Sequence, residues 1–173
     1  MENTERIRCS SSGVLRSTVR RMAYRSTAPL EIAPALAEVR AVYDELAARP
    51  IERSCIGRTE CCHFKLTGKT PLLTKGEALL AAKALRTAGR TKLPETTDET
   101  TGACPMLNAR GRCIIYENRP FGCRTHFCAA AGGPYARREV LDLILRLEVV
   151  DFQLNGTGPH TLTVAVREAL LQI

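Results

Sequence analysis

Seven of the chain's eight cysteines fall between residues 55 and 128, in three groups: Cys55 with the adjacent pair Cys61 and Cys62, Cys104 with Cys113, and Cys123 with Cys128. Thiols at this density constrain a fold strongly, because they must pair as disulfides, pack as small apolar groups, or gather around a soft cation. The rest of the composition favours the cation. With no Trp, four Phe and four Tyr among 173 residues, the core gains little from large aromatic side chains and benefits from a metal or a cross-link. No stretch near Met1 combines a charged start, an apolar segment and a small-residue cleavage site. A reducing, cytoplasmic setting is therefore expected, in which dense thiols hold metal. No apolar run reaches the length of a membrane span.

The segments around the cysteines read as helices. Ile32, Leu36, Val39, Tyr43 and Leu46 recur every three or four residues and predict an amphipathic helix from Glu31 to Arg49, closed by Pro50. Thr74 followed by Glu77 is a capping box that opens a second helix, and Gly89 ends it. Residues 93–102 form a loop. Residues 104–116 read as a short β-hairpin turning at Asn108 and Gly111. The dense apolar run from Tyr135 to Leu154 predicts a central helix buried on more than one side, and Leu162, Val166, Ala169 and Leu170 a final short one. Residues 1–28, rich in Arg, Ser and Thr, predict a disordered basic tail, with Met22 an alternative start and Cys9 a bystander. The expected fold is mainly α: a single domain over residues 29–173, about four helices with a short hairpin, and cysteine-rich loops around a metal centre.

Spacing limits what the thiols can do. Cys123 and Cys128 would lie about 140° apart on a helix, so a shared role needs a turn, which Pro120 and Gly122 allow. Adjacent Cys61 and Cys62 would point to opposite faces of an extended chain, which assigns them to different sites or leaves one packing only. Two closed tetrahedral sites need about eight ligands and one site or cluster about four, so seven thiols fall between. His126, two residues before Cys128, completes the candidate metal set of Cys55, Cys61, Cys62, Cys104, Cys113, Cys123 and Cys128. His63 reads as a capping or exposed residue, and His160 as unremarkable. A Cys-His nucleophile, drawn from Cys62 with His63 or Cys128 with His126, leaves the other thiols unexplained. Catalytic residues are unassigned. No glycine-rich segment has the context of a nucleotide site.

The net charge of +7 is unevenly spread. One surplus lies in the tail; the other lies among the cysteines, where residues 105–138 hold six Arg against Glu117 alone. Four thiolates around zinc carry a formal charge of −2, and iron clusters are commonly anionic too. Arg110, Arg112, Arg119 and Arg124 therefore read first as compensating charges and donors to sulfur, and second as a stripe for an acidic protein or nucleic acid.

Cys55-x5-Cys61-Cys62, Cys104-Pro-Met-Leu107, Gly111-Arg-Cys113-Ile-Ile-Tyr116, Arg119-Pro120-Phe-Gly-Cys123 and Cys128, with Leu73-Thr74 and Glu77, together resemble the YkgJ-type cysteine-cluster family. That family is described as a zinc- or iron-chelating domain and also as iron-sulfur oxidoreductase-like. Its second cysteine aligns with Arg58, so eight thiols become seven. The resemblance implies metal chelation over residues 55–128, with a distant link to flagellin lysine methylases, and names no substrate. The leading expectation is an iron-sulfur or iron centre with a redox role, as all-cysteine ligation and nearby Arg donors suit an anionic cluster. The alternative is a zinc-stapled, non-enzymatic module that binds a protein or nucleic acid. Whether the protein is an enzyme stays open on the sequence.

Overall fold

The computed structural model describes residues 31–50, 53, 58–94 and 102–173. The predicted tail, Cys9, Met22, Cys55 and most of the predicted loop at 93–102 lie outside these residues. Six helices occur among them: α1 (Ile32–Ala48), α2 (Phe64–Thr67), α3 (Lys75–Thr87), α4 (Phe121–Thr125), α5 (Leu141–Gln153) and α6 (Leu162–Leu170). Four of these, α1, α3, α5 and α6, are nine residues or longer and correspond to the four expected from periodicity. Two-residue strands β1 (Leu72–Leu73) and β2 (His160–Thr161) pair antiparallel, Leu72 with Thr161 and Leu73 with His160. This tie joins the entrance of α3 to the entrance of α6.

The central helix is α3, which packs against α1, α5 and α6. The expectation that residues 135–154 fill this place is overturned. Helix α5 begins only at Leu141, after a 3-10 turn at Arg137–Glu139, and buries one stripe through Leu143, Leu147 and Val150. Its Leu145 and Phe152 are 51% and 63% exposed. Side-chain size explains the exchange. Gly76, Ala78, Ala81 and Ala82 let neighbouring helices approach α3 from several sides, and a methyl group added at Gly76 would lie 2.8 Å from Val150 Cγ1 and 3.0 Å from Val39 Cγ2. A helix of large aliphatic residues has no such freedom.

Polar anchors fix the ends of these helices. Asp151, buried on α5, accepts the Lys75 amide at the start of α3 (2.7 Å) and the Gly158 amide (3.0 Å). It thereby satisfies an orphan donor of the α3 N-terminus. On the outer face Arg146 bridges α5 to Glu38 (2.7 Å) and Glu45 of α1, and Arg49 at the end of α1 pairs with Asp142.

The turn expected in residues 104–116 forms. The Asn108 side chain accepts the amides of Arg110 (2.9 Å) and Arg112 (3.0 Å), and Gly111 takes φ +69°. Pairing there stops at a single antiparallel bridge, Leu107 with Cys113, so the regular two-stranded sheet of the described residues is the one joining distant segments.

Candidate metal centre

The cysteines sit on short elements that extend from the helical scaffold. Cys61 and Cys62 occupy a 3-10 turn (Glu60–Cys62) whose amides close onto Thr59 and Glu60, and Cys104 pairs with that turn by donating its amide to the Cys62 carbonyl (2.7 Å). Cys113 closes the Leu107 bridge. Cys123 lies on α4, which starts after Pro120, a residue without a donor at a helix entrance.

Glu77 determines where α4 sits. It is fully buried and accepts four hydrogen bonds: from the amide (3.0 Å) and hydroxyl (2.9 Å) of Thr74, the Tyr43 hydroxyl (3.2 Å) and the Phe121 amide (2.8 Å). One carboxylate thus caps α3, reaches α1 and holds the first amide of α4, two residues before Cys123. Burial raises its pKa and the four donors offset part of that rise. Burial and the neighbouring carboxylate hold the Tyr43 hydroxyl well above its ordinary range, so it remains a donor. The capping box is legible in the sequence; the two long-range bonds are not.

Five thiols, those of Cys61, Cys62, Cys104, Cys113 and Cys123, line one half-open cavity of about 840 Å3. Cys61 and Cys62 have Sγ atoms 3.9 Å apart, which corrects the expectation that adjacency separates them: a 3-10 turn, unlike an extended strand, brings neighbouring side chains together. Cys123 interacts electrostatically with Cys104, Cys113 and Cys61. Among the described residues, no three His, Cys, Asp or Glu side chains form a ready-made metal cage. The thiols line the cavity without closing on one point. Cys128 begins the 3-10 turn Ala129–Ala131 and does not line the cavity, whereas His126 does.

Burial pushes the thiols of Cys123 and Cys113 up and that of Cys104 to about 12. The Cys61–Cys62 pair divides differently. The hydrogen bond from Cys62 lowers Cys61, helped by Arg119, and by reciprocity Cys62 keeps its proton. A soft cation would displace the remaining protons, since thiolate and not thiol is the ligand.

Arg119 is the charged partner of these thiols. It favours the ionised forms of Cys61, Cys113 and Cys123, stacks at 4.3 Å over the Tyr116 ring, and carries a buried Nε without a hydrogen-bond partner among the described residues. A buried donor beside sulfur is what an anionic thiolate centre requires. The other arginines expected in this role divide. Arg112 lines the cavity, while the Arg124 side chain donates to the carbonyls of Arg119 (2.9 Å) and Glu117 and stacks on Tyr43. Arg110 is outside the cavity lining. His63 stands at the N-cap position of α2 without a side-chain capping bond and its backbone bridges to Ala103, and His160 bonds the Thr157 hydroxyl (2.8 Å).

Thiols along one cavity with a buried cationic donor among its lining are the donor chemistry that a thiophilic metal ion selects. The family CxxCxxCC, "Putative zinc- or iron-chelating domain", matches residues 54–141, half of the chain, and the chain belongs to this family. The four cysteines of the family's name fall on Cys55, Arg58, Cys61 and Cys62. No curated protein and no solved structure matches the chain. The residues fit the metal that the family implies: soft donors in number, each able to lose a proton, and Arg119 to balance the charge. Among the described residues no helix is long and apolar enough to cross a membrane.

Proposed function

We propose that the protein binds iron, as an iron-sulfur cluster or as thiolate-ligated iron, and that this centre has a redox role. Cys61, Cys62, Cys104, Cys113 and Cys123 are the ligands we assign, with Cys55 and His126 available to complete the set and Cys128 left out because it does not line the cavity. The observation that carries the reading is that the five thiols front a half-open cavity. A structural zinc ion is sealed in a closed four-coordinate shell, whereas a centre that exchanges electrons or ligands needs an approach. Iron held there would supply one-electron chemistry. The protein's own contribution is to hold sulfur in place through the Glu77 anchor, to favour thiolate through Arg119, and to shield the thiols with Met106, Ile115 and Phe121.

The zinc reading rests on a different observation. Residues 102–131 contain only short elements, and a zinc ion would tie such a segment together without chemistry. An acidic protein or nucleic-acid partner belongs to that reading, with binding that weakens as salt rises. Purification without oxygen, followed by metal analysis and visible absorption, separates the two. A brown preparation containing iron and bleached by dithionite is expected. A colourless protein with stoichiometric zinc would overturn the iron assignment and support the staple.

A further inference from the structure

Cys61 and Cys62 are sequence neighbours whose Sγ atoms lie 3.9 Å apart, and no other pair of thiols is in such contact among the described residues. The 3-10 turn Glu60–Cys62 produces this contact, and backbone hydrogen bonds hold it in place: the amide of Cys62 donates to the Thr59 carbonyl (2.8 Å), that of His63 to Glu60 (3.0 Å) and that of Cys104 to Cys62 (2.7 Å). The two thiols differ in their surroundings. Cys62 packs against the hydrophobic core, whereas Cys61 stands outside that cluster and directs its thiol to the Arg58 carbonyl (3.9 Å). Both line the half-open cavity, with Cys61 the less enclosed sulfur.

Two thiols in contact have a reaction that a lone thiol lacks. Once the first forms a mixed disulfide with a small molecule, the second is in place to resolve it. Backbone geometry sets the character of the product. Bridged cysteines usually hold their Cα atoms about 4.4–6.8 Å apart, while consecutive Cα atoms are fixed at about 3.8 Å across a trans peptide. A disulfide between neighbours is therefore strained and easily reduced, which suits exchange and not permanent cross-linking.

We propose that Cys61 and Cys62 form a reversible thiol–disulfide couple that exchanges with a small-molecule disulfide. Cys61 Sγ attacks one sulfur of that disulfide and releases the first half as a thiol; Cys62 Sγ then attacks Cys61 Sγ and expels the second half. The cysteine pair is oxidised by two electrons, and the small disulfide is reduced to two thiols that carry the protons Cys61 and Cys62 have lost. Closure withdraws two of the five sulfur ligands assigned above and so discharges the metal. That consequence rests on the ligand assignment, whereas the couple itself does not.

Oxidation of the full chain, purified without oxygen, by glutathione disulfide tests the couple. After alkylation in denaturant, the tryptic peptide of residues 59–65, which contains these two cysteines and no other, reports the pair directly. It is expected to escape alkylation at both positions, with bound metal lost in step and full reversal by excess reduced glutathione. Cys62→Ser removes the resolving thiol and should leave Cys61 as the glutathione mixed disulfide. Cys61→Ser should react roughly ten-fold more slowly than the unaltered chain, because only the more enclosed thiol remains. A mixed disulfide that persists in the unaltered chain, a bridge from either cysteine to a third one, or a peptide alkylated at both positions would overturn the proposal. A chain that closes the pair but carried no metal before oxidation would sustain the couple while removing the ligand assignment, so the two fail separately.

Discussion

The molecule has two regions held together in different ways. In the scaffold of α1, α3, α5 and α6, side chains such as Leu36, Val39, Leu79, Leu85, Leu143 and Val166 are essentially without solvent contact, and packing of small against large residues holds the helices. In the shell of residues 58–71 and 102–131, the longest helix has five residues and the fully buried side chains are few, Met106, Ile115 and Phe121 among them. Burial at roughly 25 cal/mol per Å2 of apolar surface stabilises the first region by itself. The second hangs on one carboxylate and on turns and, in the proposed assignment, on the ion its thiols would hold. A stable scaffold beside a dependent shell allows the site to respond to metal while the fold persists.

The sharpest way to break this contrast is to remove the metal. Cys123→Ser should abolish most metal binding while far-UV circular dichroism changes little, and hydrogen exchange should accelerate in residues 102–131 but not in α1 or α3. Simultaneous loss of the long helices would show that the scaffold too depends on the ion.

Glu77 tests the joint between the regions. Glu77→Ala leaves two buried amides and the hydroxyls of Thr74 and Tyr43 without this acceptor, and chemical denaturation should report a loss of about 3–5 kcal/mol. Glu77→Gln, which keeps the shape, should lose less, and its metal content should fall less as well. Because the folded pKa of Glu77 is raised, its contribution is fully present below the unfolded carboxylate pKa and declines as pH rises through the folded value. The Gln variant should show a flatter stability profile over that window.

Within the scaffold, Gly156→Ala would place a methyl group 2.3 Å from Asp151 Oδ2 and pull that carboxylate from the α3 entrance. A loss of about 2 kcal/mol is expected by thermal or chemical unfolding, without change in metal content. Asp142→Asn is the mildest case. The Arg49 hydrogen bond holds the Asp142 carboxyl below its usual pKa, so the pair stabilises above the unfolded value and fades as pH falls through the folded one. This ion pair is solvent-exposed, and its loss should cost no more than about 0.5 kcal/mol at neutral pH, with a shallower acid limb.

Much of the scaffold was legible because its signals are local. The stripe Leu36, Val39, Tyr43 and Leu46 is buried on α1 as its period predicts, and Thr74 with Glu77 caps α3. The rank of the helices was not. Apolar density put residues 135–154 at the centre, whereas the small side chains of α3 decide which helix three neighbours can approach. At the site, the sequence showed thiols with arginines among them but not their arrangement. It separated Cys61 from Cys62, which a 3-10 turn brings together, and counted Cys128 with the others, although it lies off the cavity.

The chain's one-dimensional pattern thus determined its helices, its caps and its supply of soft donors, since each depends on residues within a few positions of one another. Tertiary structure alone decided that Glu77 would reach Tyr43 and Phe121, that Arg119 would bury a donor near the thiols, and that five thiols from three separate segments would line one cavity. Those relations join residues tens of positions apart, and their energies arise from desolvation and close approach, which exist only once the chain has closed on itself.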